Sequence, residues 1–426
     1  MLIKRYEDNP ILKPKSNHLW ESRAVFNGCP SRNKDGISLL YRALSLPYYS
    51  VLAGTTLPVS SIGIARSDDG LHFTNRRRFI APEFSWERFG CEDPRVTRFN
   101  RRYYIFYTAL STWPPSADGI RVGVAVSKDL RKIKERHLVT PFNAKAMALF
   151  PQRINGKIHA ILTVHTDKPP AKICMATFNQ PEEMWSEQYW SAWYRNHEEY
   201  ALPLQRDPED HIEIGAPPIK TKDGWLLVYS YIINYFSTTQ ERLFGVEAAL
   251  LDADNPFMVL SRTESPLFIP EEYYETIGLV PNVVFPSGAL IKGNRLHIYY
   301  GAADTTCCTA SVRLPALLGV MLNKVPILKL KRASENPILT AIKDHAWESR
   351  AVFNPAAVSL DGKVHILYRA MSEDNTSTFG YATSTDGVHI DYREPEPVYT
   401  PREGFEQKLT PGGNSGCEDP RLTIIG

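Results

Sequence analysis

The chain has 426 residues, of which 43% are hydrophobic and 23% charged, and its formal net charge is +2. This balance is typical of a soluble globular protein and argues against a dedicated nucleic-acid binder or a polybasic membrane anchor. The longest apolar stretch, around residues 314–322, is far shorter than the roughly 20 residues of a membrane-spanning helix.

Six cysteines are scattered along the chain without the spacing of a zinc site or a C-x-x-C motif. Cys307 and Cys308 are adjacent and poorly placed to join each other, so reduced and mostly buried thiols are expected. The first twelve residues contain no apolar signal core, and a cytoplasmic location is therefore predicted. The eleven histidines show no ligand spacing, so neither a metal nor another cofactor is predicted.

Short runs of aromatic and β-branched residues follow turn signals along the chain, whereas sustained helical periodicity is scarce. A turn followed by an apolar strand is predicted near Gly36, Asn100, Gly156, Gly224 and Gly293. These turns lie roughly 55–70 residues apart, which fits one four-stranded propeller blade per repeat. The predicted fold is all-β, a five-bladed β-propeller over residues 1–325; the alternative is a β-sandwich with coincidental turns.

A second, coarser repeat is stronger. The run WESRAVFN at 20–27 recurs letter for letter at 347–354, LYRA at 40–43 recurs at 367–370, and GCEDPR at 90–95 recurs at 416–421. Residues 326–426 are therefore predicted to be the incomplete beginning of a second, similar propeller module. A propeller must close its ring because open sheet edges are a liability, so we expect the natural protein to continue; an added regulatory domain is the alternative.

The GCEDPR motif places two acids side by side. Adjacent residues of a regular strand point to opposite faces, so at most one of Glu92 and Asp93 is expected to face a central cleft. Pro94 is expected to end strand pairing. The alternative is an Asp-Pro turn in which Arg95 pairs with Glu92, but the return of the whole motif around Asp419 favours a functional interpretation.

Three further polar residues lie beside or at the end of apolar strands, namely Asn27, Arg42 and Asp304. A fixed amide and a guanidinium fork can hydrogen-bond sugar hydroxyls. Polar strand ends around an axial pocket are what a propeller offers a ligand, and Asp304 is expected to enter the same cleft. Alternatively, Arg42 satisfies backbone carbonyls or pairs with an acid.

These motifs, together with NPIL, ALFP, IGAPPIKTKDGWLLVY and PNVVFPSGA, resemble glycoside hydrolase family 130 over residues 8–320 and again over 335–426. The resemblance implies a five-bladed propeller and a β-mannoside oligosaccharide as the partner. It implies that Asp93 is the general acid, which passes its proton through a hydroxyl of the bound mannose, and that Asn27 and Arg42 hold that mannose. One departure is Asn-Gly-Cys at 27–29, where the second copy has Asn-Pro-Ala-Ala at 354–357.

The family contains both phosphorylases and hydrolases, which differ in what lies opposite the acid. The resemblance implies four cationic or donor positions in phosphorylases, occupied here by Lys145, Thr163, Glu213 and Ser230. Three of the four are lost, and one has become an anion. A carboxylate about 4 Å from a phosphate repels it by roughly 4 kcal/mol at an effective dielectric near 20.

A second acid, Glu247, lies within an otherwise apolar strand, where a buried charge needs a purpose. Glu213 and Glu247 are therefore candidates for the base of an inverting hydrolase, which lies about 6.5–9.5 Å from the acid; structural pairing with Lys145 or another cation is the alternative for either. Lys145 and Tyr229 complete the substrate-binding candidates.

The sequence thus predicts an inverting β-mannosidase, with β-1,2-mannooligosaccharides as candidate substrates. The first alternative is a β-mannoside phosphorylase that releases mannose 1-phosphate. The second is a non-catalytic sugar-binding propeller, which the presence of Asp93 disfavours.

Overall fold

The computed structural model describes residues 3–322 and 332–425. The chain divides into two compact units, Met1–Ile327 and Leu328–Gly426. The predicted module boundary between residues 325 and 326 lies outside the described residues. Within the described residues, no helix combines the length and the apolar character that crossing a membrane requires.

The first half of the first unit contains two groups of antiparallel strands, which we call blades 1 and 2. A short strand, β1 (Lys4–Arg5), precedes them. Blade 1 consists of β2 (Ala24–Asn33), β3 (Gly36–Leu44), β6 (Ser60–Ser67) and β7 (Thr74–Ile80), with the small hairpin β4 (Tyr48–Ser50) and β5 (Thr55–Leu57) inserted. Blade 2 consists of β8 (Gly90–Phe99), β9 (Arg102–Leu110), β10 (Ile120–Ser127) and β11 (Ile133–Leu138).

Three more sheets follow, which we call blades 3 to 5. Blade 3 consists of β12 (Ala144–Leu149), β13 (Ile158–Val164) and β14 (Lys172–Phe178), followed by helix α1 (Glu187–Tyr194). Blade 4 consists of β15 (His211–Ile214), β16 (Ile219–Lys220), β17 (Trp225–Ile233), β18 (Leu243–Leu251) and β19 (Val259–Arg262). After helix α2 (Tyr273–Thr276), blade 5 consists of β20 (Val284–Lys292), β21 (Arg295–Ala302) and β22 (Thr306–Arg313), and helix α3 (Leu314–Met321) follows it.

Blade 5 closes the ring onto the beginning of the chain. Strand β1 pairs antiparallel with β22, so the N-terminal residues complete the last blade. Strand β2 lies against the same blade, where the Val25 amide donates to the Thr305 carbonyl at 3.0 Å and the Ser287 hydroxyl donates to the Gly28 carbonyl at 2.9 Å. The all-β prediction is confirmed, and residues 3–322 have the strand order of a five-bladed propeller.

The core consists of apolar clusters between successive blades. Residues 158–164 of β13 are all buried, because one face of the strand packs towards blade 2 and the other towards blade 4. Blades buried on both faces need continuously apolar strands, which explains why the sequence shows little strict alternation. The turns follow the predicted signals: Asn155 and Gly156 connect β12 to β13 with positive φ angles of 48° and 76°.

A buried glutamate paired with a tyrosine and an arginine recurs in the propeller, and we call this set the blade triad. Each of the four glutamates has no exposed surface. The tyrosine lies on the second long strand of its blade and donates its hydroxyl to the carboxylate at 2.6–3.0 Å. The triads are Glu21, Tyr41 and Arg76 in blade 1; Glu87, Tyr107 and Arg136 in blade 2; Glu247, Tyr229 and Arg206 in blade 4; and Glu275, Tyr300 and Arg5 in blade 5.

The triad in blade 4 is assembled differently. In blades 1 and 2 the residue opposite the tyrosine on the third strand is a glycine, Gly63 or Gly123, because a Cβ there would lie 2.4 or 2.7 Å from the ring. In blade 4 the residue opposite Tyr229 is Glu247 itself. The strand therefore supplies the carboxylate that the segment before the first strand supplies in blades 1, 2 and 5.

The second unit contains one sheet, formed by β23 (Ala351–Leu360), β24 (Lys363–Met371), β25 (Thr376–Ser384), β26 (Tyr392–Arg393) and β27 (Ser415–Gly416). It repeats the blade triad with Glu348, which accepts from Tyr368 at 2.9 Å and pairs with Arg393 at 2.5 Å. This unit therefore has the internal construction of a single blade.

Candidate active site

A β-bulge interrupts the first strand of blades 1, 2 and 3. The register shifts between Phe26 and Cys29, between Glu92 and Arg95, and between Lys145 and Ala148. Within these bulges Asn27, Asp93 and Ala146 have positive φ angles of 50°, 49° and 51°. A bulge adds a residue and turns its side chain away from the regular alternation, and bulges of this kind are common beside active sites.

Two of these bulges bring Asp93 and Asn27 into contact. The Asn27 amide nitrogen Nδ2 donates to Asp93 Oδ1 at 2.8 Å, and Arg42 Nη1 lies 3.7 Å from the same oxygen. Asn27 is almost fully buried, and the Asp93 side chain is 19% exposed. The structure thus brings together three of the residues singled out from the sequence, with the acid accessible to a ligand.

Glu92 joins this group, contrary to the expectation that at most one of the two acids would face the cleft. Arg42 Nη2 lies 2.5 Å from Glu92 Oε1, and the Ser60 hydroxyl donates to the same carboxylate at 2.9 Å. That expectation was wrong because the bulge at Asp93 breaks the alternation on which it rested. Burial raises the pKa of Glu92, although the charge of Arg42 opposes the rise.

Pro94 differs from expectation, and Arg95 does not form the ion pair that the alternative interpretation gave it. Strand β8 continues through Pro94, which lies inside the bulge and does not end the pairing. Arg95 does not pair with Glu92: its guanidinium donates to the carbonyl of Gly215 in blade 4 and, at 3.0 Å, to the carbonyl of Asp93. Arg95 therefore ties the acid-bearing bulge to blade 4.

Asp304 follows β21 of blade 5, and its charge interacts with this group. Burial raises the pKa of Asp304 to about 6; Arg42 lowers it, whereas Asp93, Glu92 and Glu213 raise it further. The charges of Arg42, Asp93 and Glu92 thus act on Asp304, whose convergence with them stays a prediction. We refer to Asn27, Arg42, Glu92, Asp93 and Asp304 as the acid corner.

Lys145 and Glu213 lie on the blade 3 and blade 4 side of the cleft. Burial lowers the pKa of Lys145, but Glu213, Asp167 and Glu92 raise it more, so its pKa is above the usual value. Lys145 Nζ contacts Asp167 Oδ1 at 3.0 Å, and Glu213 Oε1 lies 3.2 Å from His211 Nε2. One ammonium thus faces carboxylates from three blades.

Thr163 and Ser230 lie opposite Lys145 and Glu213 in the sheets of blades 3 and 4. Both side chains are fully buried, and the Thr163 hydroxyl accepts a hydrogen bond from the Ile214 amide at 2.9 Å. Neither hydroxyl is exposed to a ligand in this structure.

Glu247 and Tyr229 do not join the site. Glu247 has no exposed surface, and both its oxygens are 2.6 Å from the guanidinium of Arg206, while the Tyr229 hydroxyl donates to it at 3.0 Å. The assignment of Glu247 as a base is wrong for this geometry, because a buried carboxylate held by three donors cannot bind and deprotonate water. Tyr229 is also fully buried, so its assignment as a substrate-binding residue is wrong for the same reason.

The second unit repeats the local contacts of the acid corner. Asn354 Nδ2 donates to Asp419 Oδ1 at 2.8 Å, and Arg369 lies 3.3 Å from Asp419 and 2.5 Å from Glu418. Asp419 has 44% of its side chain exposed, more than twice the fraction for Asp93. The described residues of this unit include no counterpart of Lys145 or of Asp304.

Comparison with known proteins places this fold and site in a family. The model of glycoside hydrolase family 130, described as beta-1,4-mannooligosaccharide phosphorylase, matches residues 3–323 and again residues 322–426. A 1,2-beta-oligomannan phosphorylase from Thermoanaerobacter sp. (strain X514) is 31% identical over 314 residues, which are 73% of this chain and 97% of that protein. The chain therefore belongs to glycoside hydrolase family 130.

Two further relatives are similar over the same region. A beta-1,2-mannobiose phosphorylase from the same Thermoanaerobacter strain is 34% identical over 321 residues, which are 71% of this chain and 94% of that protein. The solved structure of a beta-1,2-mannobiose phosphorylase from Listeria innocua, in complex with beta-1,2-mannobiose, has a TM-score of 0.62 and 26% identity. The match covers 75% of this chain and 99% of the Listeria chain.

These relatives overturn the prediction of a hydrolase, since each is named a phosphorylase. The prediction counted Thr163 and Ser230 as lost phosphate ligands. Both side chains are buried within their sheets, so the identity of these residues is poor evidence about what the cleft binds. The count also took Glu213 as a charge that repels phosphate, although its carboxylate interacts with the ammonium of Lys145, in line with the alternative of structural pairing.

Replacement of Glu247 by glutamine should affect stability and not catalysis. Removing one partner of a buried ion pair costs roughly 3–5 kcal/mol, because Arg206 is left without its counter-charge. We expect urea denaturation to show a loss of that order, with kcat of the folded enzyme unchanged. Glu241→Gln, at an exposed glutamate just before β18, is the matched control and should change neither quantity. A stable Glu247→Gln protein with a much lower kcat would contradict this assignment.

Replacement of Asp304 by asparagine should change the pH dependence of stability. The folded-state pKa of about 6 exceeds the ordinary 3.8, so the folded state holds the proton more tightly. The contribution of Asp304 to wild-type stability should therefore fall as pH rises from 4 to 6, by about 1.4 kcal/mol for each unit of pKa shift. The variant lacks this group and should gain stability relative to wild type over that window. Denaturation at pH 4, 5, 6 and 7 measures the difference; a pH-independent difference would refute the raised pKa.

Proposed function

We propose that this protein is an inverting β-mannoside phosphorylase, which transfers a mannosyl group from a β-1,2-mannooligosaccharide to phosphate. The observation that carries the proposal is the contact of Asp93 with Asn27 and Arg42, together with a lysine, Lys145, whose charge interacts with the neighbouring Glu92. The names of the relatives support phosphate as the acceptor and the β-1,2 linkage. A β-1,4-mannooligosaccharide phosphorylase from Ruminococcus albus is also 30% identical, which makes β-1,4-mannosides the second substrate class to test.

In this proposal Asp93 is the proton donor. A phosphate oxygen attacks the anomeric carbon from the face opposite the leaving group, the glycosidic bond breaks, and its electron pair and the proton from Asp93 leave with the released sugar. Attack on a β-mannoside with inversion gives α-mannose 1-phosphate. Asn27 and Arg42 hold the Asp93 carboxylate and bind hydroxyls of the same mannose, through which the proton can reach the leaving oxygen.

The charged side chains of the cleft determine which residue can attract phosphate. Arg42 and Lys145 are partly exposed cations beside these acids, and Arg42 already pairs with Glu92 and Asp93. Lys145 is therefore the side chain best placed to attract the anion. Burial raises the pKa values of Asp304 and Glu92, while the charge of Arg42 lowers both.

We also propose that residues 326–426 are a partial repeat of the module formed by residues 1–325, comprising its first blade and the acid motif. The second family match and the repeated contacts of Asn354, Arg369 and Asp419 support this. The second unit is not the catalytic one in this proposal, since its described residues offer no cation on the acceptor side. Asp419 therefore provides an internal control for Asp93.

Incubation of the purified protein with β-1,2-mannobiose, with and without phosphate, tests the proposal. We expect mannose 1-phosphate to form only when phosphate is present. Asp93→Asn should lower kcat by roughly 10²–10⁴-fold, the usual contribution of a general acid, whereas Asp419→Asn should leave kcat unchanged. The α configuration of the product is read from its anomeric proton by NMR. Release of mannose at the same rate without phosphate would refute the proposal.

Replacement of Glu213 by glutamine tests whether this acid opposes phosphate binding through its charge or acts as a base. If phosphate binds beside Lys145, loss of the negative charge should lower KM for phosphate several-fold, since a like charge opposes anion binding. The change in kcat should be small. The KM for mannobiose serves as the control and should stay constant. A collapse of kcat with an unchanged KM for phosphate would identify Glu213 as a base and contradict this account.

A further inference from the structure

Several acids attract the ammonium of Lys145. The charges of Glu213, Asp167 and Glu92 all raise its pKa, and they come from blades 4, 3 and 2. Among the described residues, the ion pair that it forms within 4 Å is with Asp167, at 3.0 Å. The Lys145 side chain remains 24% exposed, so a ligand in the cleft can reach it.

Asp167 is itself held firmly. Its Oδ2 accepts from Asn143 Nδ2 and from the Thr166 hydroxyl, both at 3.0 Å, which leaves Oδ1 for Lys145. The Asp167 amide donates back to Asn143 Oδ1 at 3.1 Å, so the two residues bind each other reciprocally. Burial raises the pKa of Asp167, but Lys145 and Asn143 lower it more, and the group stays ionised.

Asn143 connects this pair to the neighbouring blade. It is almost fully buried, and its Nδ2 also donates to the carbonyl of Ala117, in the loop before β10, at 3.0 Å. Its own carbonyl accepts from the His165 amide at 3.1 Å. The Asp167 carboxylate is therefore held by the Asn143 side chain, which backbone groups of blades 2 and 3 fix in place.

We propose that Asp167, held by Asn143, is a positioning residue that keeps Lys145 directed at the phosphate site and away from Glu213. The inference rests on the proposed phosphorylase function. Without Asp167, the charges of Glu213 and Glu92 would still attract the ammonium. Lys145 would then pair with an acid of the cleft, and its charge would no longer be available to phosphate.

Asp167→Asn tests this role, because it removes the charge and keeps the shape. We expect KM for phosphate, and KM for mannose 1-phosphate in the reverse direction, to rise about tenfold, in line with the usual worth of a charged hydrogen bond. The values of kcat and of KM for mannobiose should stay close to wild type. Asn143→Ala should act in the same direction with a smaller effect, which guards against a folding defect in one variant.

Two controls sharpen the result. Asp118→Asn removes another acid that binds a lysine, Lys168, at 2.5 Å on the exposed surface, and should change no kinetic constant. Lys145→Ala should raise KM for phosphate at least as much as Asp167→Asn. The double variant should be no worse than Lys145→Ala, because Asp167 acts through Lys145.

The outcomes separate the positioning role of Asp167 from the proposed phosphorylase function on which it rests. A wild-type enzyme that needs no phosphate overturns the proposed function and this role with it. A phosphate-dependent enzyme whose Asp167→Asn variant keeps its KM for phosphate overturns the positioning role alone. A further tenfold loss in the double variant would also overturn it, since Asp167 would then contribute independently of Lys145.

Discussion

A carboxylate buried between two sheets must be paired with a cation and hydrogen-bond donors, and much of this structure follows from that constraint. In four blades of the described propeller the requirement is met by a tyrosine on the second long strand and an arginine. The triads connect strands that are distant in the chain: Arg5 reaches Glu275 and thereby fastens the N-terminal strand to the last blade. Ring closure therefore depends both on strand pairing and on the ion pair between Arg5 and Glu275.

The acid corner is subject to the same requirement, but there it is only partly met. Glu92, Asp93 and Asp304 share the charge of Arg42, and burial raises the pKa values of Glu92 and Asp304. An arrangement with more acids than cations is costly for folding, and such costs are typical of functional sites. Lys145 supplies further positive charge, for which Glu213, Asp167 and Glu92 compete. Binding of an anion there depends on which acid Lys145 contacts.

Much of this arrangement could be predicted from the sequence. The turn-and-strand repeat indicated five blades, and the recurrence of whole motifs identified Asn27, Arg42 and Asp93 before their contacts were known. The participation of Glu92 was not predictable from alternation, because a bulge is a local change of register that leaves no clear periodic signal. Glu247 was recognised as an unusual buried acid, but its partner Arg206 lies 41 residues away, in a segment without a motif. Asp167 escaped notice for the same reason, since nothing in the chain links it to Lys145, 22 residues earlier.

The central claim is that the cleft directs phosphate, and not water, to the anomeric carbon. The most direct measurement is the reaction of β-1,2-mannobiose with unlabelled phosphate in water enriched in oxygen-18, with the products analysed by mass spectrometry. The account predicts that the mannosyl unit from the non-reducing end appears as mannose 1-phosphate without oxygen-18. Conversion of each mannobiose into two molecules of free mannose, with no mannose 1-phosphate formed, would contradict it, because water would then be the acceptor.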